Sequence, residues 1–316
     1  MIDVLVYRKS MIADGVCAFE LTRPDHSPLP AFSAGSHIDV HLPNGIIRQY
    51  SLCNSPDHLH RYEIAVLKEE QSRGGSVAMH QLQQGDDLKI SEPRNLFPLT
   101  PNAKRSLLFA GGIGITPILC MAERLAQIDG TFQLHYCAKS EKRAAFSHRI
   151  RESRWSDHAS FYFNEPEGSA RLAAKALGDY TEGDHLYVCG PAGFIDFILS
   201  QARNSGWPES SLHREFFASD NAGPHDDDGT FEVQLASDGR CFSIPADQSV
   251  ADVLDDAGVE IPLSCEQGVC GTCVTRILDG EPDHRDMFLT DEEHARNDQF
   301  TPCCSRAKSA RLVLDL

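Results

Sequence analysis

Positive charge is in short supply: 29 Lys and Arg stand against 46 Asp and Glu, a formal net charge of −17. A chain this acidic repels phosphodiester backbones and anionic lipid, so neither nucleic acid nor a membrane surface is expected as a partner. Long apolar runs are missing as well. The most apolar stretch, residues 107–122, is interrupted by three Gly and one Pro and is too short to span a bilayer. The opening residues Met1-Ile2-Asp3-Val4 carry neither a basic segment nor an apolar core, the two parts of a secretory signal, and a cytoplasmic location is expected. Internal repeats and low-complexity tracts are also lacking. What is left is ordinary globular composition, 41% hydrophobic and 24% charged, in 316 residues, enough for two or three domains.

Cysteine, by contrast, is plentiful. Without export, eleven cysteines are not expected to be disulfides. Six are scattered (Cys17, Cys53, Cys120, Cys137, Cys189, Cys241), whereas five fall in the last 52 residues. Within that group Cys265-Glu-Gln-Gly-Val-Cys270-Gly-Thr-Cys273 has the spacing C-x4-C-x2-C, that of a plant-type [2Fe-2S] site with a distant fourth ligand. Cys303 and Cys304 both stand where that ligand is needed. Gly268 and Gly271 let the backbone wrap closely, so that amide N–H groups can point at sulfur. A structural zinc site is the competing interpretation, but zinc usually pairs two C-x2-4-C knuckles, and adjacent cysteines make a poor second knuckle.

Three compositional regions surround this motif. Residues 1–102 show short alternating runs such as Ile38-Asp39-Val40-His41-Leu42 and Tyr62-Glu63-Ile64-Ala65-Val66, separated by turns, which reads as an antiparallel barrel or sandwich. Residues 103–219 alternate strand-like runs (107–110, 132–136, 185–189) with helix-like stretches (117–128, 170–177, 194–204), which reads as a doubly wound parallel sheet. Residues 220–228 lack any apolar side chain larger than Ala and read as an exposed linker. Residues 229–316 hold 17 acidic against 7 basic residues, with a capping-box-like helix start at Ser249 and a stop at Gly258.

Further motifs point to nucleotide chemistry. Ala110-Gly111-Gly112-Ile113-Gly114-Ile115-Thr116-Pro117 runs from an apolar strand into a helix, with Thr116 as N-cap and Pro117 at the first helical position. Glycines there allow a pyrophosphate to approach unpaired helix N–H groups, although the G-x-G-x-x-G fingerprint is broken by Pro117. Val188-Cys189-Gly190-Pro191 repeats the layout at a strand end where α/β sheets bind ligands. In the first region, Arg48-Gln49-Tyr50-Ser51-Leu52 and Arg73-Gly74-Gly75-Ser76 combine an arginine fork, a planar ring and a Gly-Gly-Ser loop, a set suited to a phosphate and a flat heterocycle.

In this order, and over nearly the whole chain, these motifs together with Cys303-Cys304-Ser305-Arg306-Ala307 resemble the phthalate dioxygenase reductase family of flavin–iron–sulfur reductases. The resemblance implies FMN on a Greek-key barrel, NADH on an α/β domain and a [2Fe-2S] cluster in a C-terminal β-grasp ferredoxin domain. It implies that Arg48 and Ser76, with Arg73, Gly74 and Gly75 in the same loops, hold the FMN phosphate and that Tyr50, Ser51 and Leu52 lie along the flavin. Gly111, Gly112, Gly114 and Thr116 would hold the NADH pyrophosphate. Gly190 and Pro191 would follow the catalytic Cys189 at the nicotinamide, and Phe217 would lie against the flavin ring. Cys265, Cys270, Cys273 and Cys303 would be the cluster ligands. The implied activity is that of a reductase component feeding a Rieske-type oxygenase. A reductase for another acceptor, such as a separate ferredoxin, and a redox-sensing interaction protein are the alternatives. The stretch Asp283-His284-Arg285-Asp286 also resembles a family stretch, and its residues are expected to be polar side chains on the surface without a ligand role.

Overall fold

The computed structural model describes all residues except 71, 164–167, 169–173, 218–224 and 226. They form two compact units, Met1–Glu215 and Phe216–Leu316. Most of the helix expected over 170–177 and most of the linker expected over 220–228 lie outside the described residues.

The first unit begins with an antiparallel barrel. Its strands lie in the order Ile47–Ser51, Ser36–His41, Asp87–Ile90, Ile2–Ala13, Val16–Thr22 and Tyr62–Leu67, with Arg94–Asn95 pairing off this path. The first and last of these approach each other. Inside sit Val4, Phe19, Leu21, Ile38, Val40, Leu52, Tyr62 and Ile64, which are alternate or near-alternate side chains of their strands. This is the inward set that a barrel face demands.

Five parallel strands follow, in the order Ala159–Phe163, Phe132–Ala138, Arg105–Gly111, Asp184–Cys189 and Leu212–Glu215. Arg105–Gly111 is buried at every residue after the first, as befits a central strand covered on both faces. Helix Ile115–Gln127 packs on it through Ile115, Ile118, Leu119, Ala122 and Leu125, a stripe of helical period. Sequence order runs one way from Arg105–Gly111 and restarts on its other side at Asp184–Cys189. That reversal is a topological switch point, where open α/β sheets bind ligands beyond the carboxyl ends of their strands.

The second unit carries a mixed sheet in the order Cys241–Ile244, Phe231–Leu235, Arg311–Leu314, Thr275–Asp279 and Gln299–Phe300. Helix Val250–Asp256 lays Val250 and Leu254 against Phe231, Val233, Leu235, Ile277, Phe300, Leu312 and Leu314. The helix opens with a complete capping box between Ser249 and Asp252.

Three sequence expectations change. The helix after the glycine-rich turn starts at Ile115 with Gly114 as N-cap, so Thr116 lies inside its first turn. Its hydroxyl donates to the Ile113 carbonyl oxygen at 3.1 Å; the turn is closed by Gly114 rather than by a capping side chain. Strands Ala159–Phe163 and Leu212–Glu215 are additions to those expected. The end of the acidic stretch is not a free linker: the Asp228 side chain is 5% exposed and is ion-paired with both Arg285 and Arg306.

Hydrogen bonds from Arg285 hold the Asp228 carboxyl at about 2, against an ordinary 3.8. A carboxyl depressed in the folded state contributes stability that is present above pH 4 or so and is lost as pH falls towards 2. Asp228→Asn is therefore expected to lower the stability of the second unit by about 2 kcal/mol near neutral pH and to flatten its acid titration. Hydrogen exchange of strand Phe231–Leu235 between pH 6 and pH 3 checks this; an unchanged profile contradicts it.

Candidate functional site

At the switch point two strand ends meet through glycine. A Cβ on Gly114 would lie 2.3 Å from the Cys189 carbonyl oxygen, and one on Gly190 would lie 2.9 Å from Gly111 Cα. Gly111 itself accepts the Phe194 ring where a Cβ would stand, at 2.8 Å. The two turns are thus pressed together backbone to backbone, which no other residue type permits. Gly112, at φ +55° with open space where a Cβ would project, leaves its peptide accessible. Pro191 is exposed and stands as N-cap of helix Ala192–Asn204.

Beside these turns lies a group of three side chains. Cys189 pairs with Glu215 across the parallel strands, and Ser51, at the end of a barrel strand, donates to Glu215 Oε2 at 3.3 Å. Cys189 is fully buried, and that burial, with the neighbouring Glu215, pushes its thiol well above the usual range. The thiol is therefore neutral and not a nucleophile. Burial likewise raises the Glu215 carboxyl to about 8, so at neutral pH this group holds a proton. Such displaced acids mark functional clefts more often than plain cores. Glu215 carried no signal as a sequence residue; its partner Ser51 is 164 positions away.

The barrel motifs converge too. The Arg48 side-chain stem occupies the space where a Cβ on Gly75 would be, at 2.7 Å, so the arginine lies against the Gly74-Gly75 loop. Gly74 adopts φ +94°, a left-handed turn that favours glycine. Ser76 and Ser72 share a hydrogen bond of 2.9 Å, and Ser72 Oγ accepts the Gly74 N–H at 3.2 Å. Arg73 is exposed on the same loop. Tyr50 is half-buried next to Ser51, and burial raises its phenol. The Leu52 side chain lies wholly inside the barrel core. Helix Gly75–Gln81 opens out of this loop.

In the second unit Cys265, Cys270, Cys273, Cys303 and Cys304 are all buried. Cys265 Sγ accepts the Gln267 N–H at 3.3 Å, and Cys270 Sγ accepts that of Thr272 at 3.5 Å with the Thr272 hydroxyl 3.2 Å away. Cys265 and Cys270 interact directly, as do Cys273 and Cys303. Gly268 and Gly271 both sit at φ +69°. A Cβ there would lie 2.6 Å from Cys304 Sγ and 2.2 Å from the Phe288 ring respectively, so the loop closes around sulfur only with glycine. Cys304 Sγ lies beside Cys303 and 3.2 Å from the Thr301 hydroxyl. This donor set is all sulfur, with main-chain N–H groups directed at it; it fits a four-thiolate iron–sulfur cluster.

The stretch Asp283–Asp286 is not an exposed polar run. Arg285 and Asp286 are buried, and the Asp286 side chain is wholly enclosed. Of the phenylalanine pair, Phe216 is largely buried and Phe217 is 38% exposed.

Residues 233–308 match the model of the 2Fe-2S iron-sulfur cluster binding domain. The whole chain is 55% identical to the full length of a vanillate O-demethylase oxidoreductase from Pseudomonas sp.. It is 39% identical to a phthalate dioxygenase reductase from Burkholderia cepacia over 98% of this chain and 95% of that one. Among solved structures, a phthalate dioxygenase reductase, described as modular for electron transfer from pyridine nucleotides to [2Fe-2S], matches with a TM-score of 0.83 and 38% identity, covering 100% of this chain and 98% of the other. The barrel, the doubly wound sheet and the thiol-bearing domain are thus those of an oxidoreductase, and the chain belongs to the phthalate dioxygenase reductase family.

Proposed function

We propose that this chain is the reductase component of a Rieske-type oxygenase system, taking a hydride from NADH to FMN and delivering single electrons through a [2Fe-2S] cluster to the oxygenase. The observation that carries this is the presence, in one chain, of a four-thiol site and of a Ser51–Glu215–Cys189 group at a sheet switch point. When bound, a flavin takes electrons in pairs and releases them singly, which a nicotinamide donor and a one-electron cluster together require.

The chain's own residues supply binding and positioning. Arg48, with the Gly74-Gly75 backbone and the hydroxyl of Ser76, forms a cradle for the FMN phosphate, to which exposed Arg73 adds charge. Tyr50 and Ser51 border the ring, and Leu52 contributes through its main chain. Gly111, Gly112 and Gly114 admit the NADH pyrophosphate at the start of helix Ile115–Gln127, while Thr116 holds that turn together from within. Gly190 and Pro191 shape the opposite wall, and Cys189 and Glu215 present neutral, dry groups to the nicotinamide, excluding water from the transfer. Phe217 serves as the aromatic cover of the flavin. Cys265, Cys270, Cys273 and Cys303 hold the cluster, with the Cys304 thiol next to Gly268 and the Thr301 hydroxyl.

Extraction of the flavin and anaerobic titration with each nicotinamide test the cofactor assignment. FMN and preferential reduction by NADH are expected; FAD, or a much lower KM for NADPH, contradicts it.

Glu215 makes a separate prediction. Its folded-state value of about 8 lies above the ordinary 4.5, so the buried carboxyl costs stability progressively as pH rises from 4.5 to 8. Glu215→Gln should remove that slope in thermal unfolding between pH 5 and pH 9 while slowing hydride transfer from NADH in stopped flow. An unaltered slope would mean that Glu215 does not carry it.

The acidic excess of residues 229–316 suits steering of a basic docking surface on the oxygenase. Coupled turnover should fall with added salt, whereas reduction of a small dye should not; equal sensitivity of the two contradicts steering.

A further inference from the structure

We propose that His284, Asp286 and His294 form a second metal site, for a divalent transition ion such as zinc, separate from the thiol site. The three side chains offer ligand atoms that all lie within 4.8 Å of one another. Asp286 is fixed before any ion arrives: its side chain is fully enclosed, and Oδ2 accepts the N–H groups of Phe288 at 3.1 Å and Leu289 at 2.8 Å. That leaves Oδ1 facing His294 Nε2 at 3.2 Å and His284 Nδ1 at 3.9 Å, with the Ser305 hydroxyl at 3.5 Å.

His284 carries the decisive feature. Its Nε2 lies 3.1 Å from Asn297 Oδ1, an oxygen that can only accept, so the ring proton belongs on Nε2. Nδ1 is then a bare lone pair, and it is buried with no hydrogen-bond partner. That nitrogen faces the Asp286 carboxylate oxygen across 3.9 Å, a pair that a shared cation would satisfy. Fixing one imidazole nitrogen by an outer acceptor so that the other is free to coordinate is how metal-bound histidines are usually oriented.

Two imidazoles and a carboxylate select a borderline metal such as zinc over calcium or magnesium, with bonds of about 2.0–2.2 Å. The rings stack at 4.3 Å and 26° from parallel, and His294, whose side chain is 26% exposed, already directs Nε2 at Asp286 Oδ1. The ion would lie next to the loop that carries the thiols, since the Met287 N–H donates to the Gly268 carbonyl at 2.8 Å.

Isothermal titration of the fully loaded protein with Zn2+, in buffer freed of other metals, tests the site. One saturable equivalent per chain is expected, weakened by roughly tenfold or more in His294→Ala and in His284→Gln and unchanged in His148→Ala, an exposed histidine elsewhere. The visible absorption of the protein should stay constant throughout. Absence of saturable binding, binding that survives the His284→Gln/His294→Ala double substitution, or binding accompanied by bleaching, which would place zinc at the cysteines, overturns the proposal.

Discussion

Thiolates buried in protein are tolerated only where a cation compensates them, because desolvation of each uncompensated charge is expensive. Five cysteines of the second unit are buried within one loop and one turn, an arrangement that iron satisfies and that an empty core does not favour. The loop can close around its sulfurs because Gly268 and Gly271 take left-handed backbone angles and have no Cβ to strike Cys304 or Phe288. Main-chain N–H groups of Gln267 and Thr272 complete the inner surroundings. Metal loading and the folding of this segment are therefore coupled.

The first unit solves a related problem with the same residue type. Its two glycine turns meet at the switch point of the parallel sheet, where close backbone contact leaves peptide groups, rather than side chains, facing a ligand. Around them the chain keeps acid–base chemistry quiet: Cys189 is an unreactive thiol and Glu215 a protonated acid at neutral pH. Such an environment suits hydride transfer, which needs alignment and exclusion of water more than it needs a base.

What was legible in the sequence was whatever is local. C-x4-C-x2-C, the Gly-Gly-x-Gly turn and the Gly-Gly-Ser loop lie in short windows, and their spacing alone carries chemistry. The barrel and the alternating α/β region were legible from period, although the short edge strands Ala159–Phe163 and Leu212–Glu215 were not, since partly exposed edges lack a continuous apolar run. Glu215 was illegible because its meaning comes from Ser51 and Cys189, distant in sequence. Asp283–Asp286 misled for the opposite reason: four consecutive polar residues look exposed, yet Arg285 is buried against Asp228 and Asp286 caps its own turn. Thr116 was misplaced because glycine closed the turn that a hydroxyl was expected to cap.

The most direct measurement is electron paramagnetic resonance of the anaerobic protein frozen shortly after mixing with NADH. The account predicts the signal of a reduced two-iron cluster, formed after flavin bleaching and lost in Cys270→Ala while the flavin still bleaches. A flavin that bleaches without any cluster signal in the unaltered protein, or a thiol site found to hold zinc without sulfide, would contradict it.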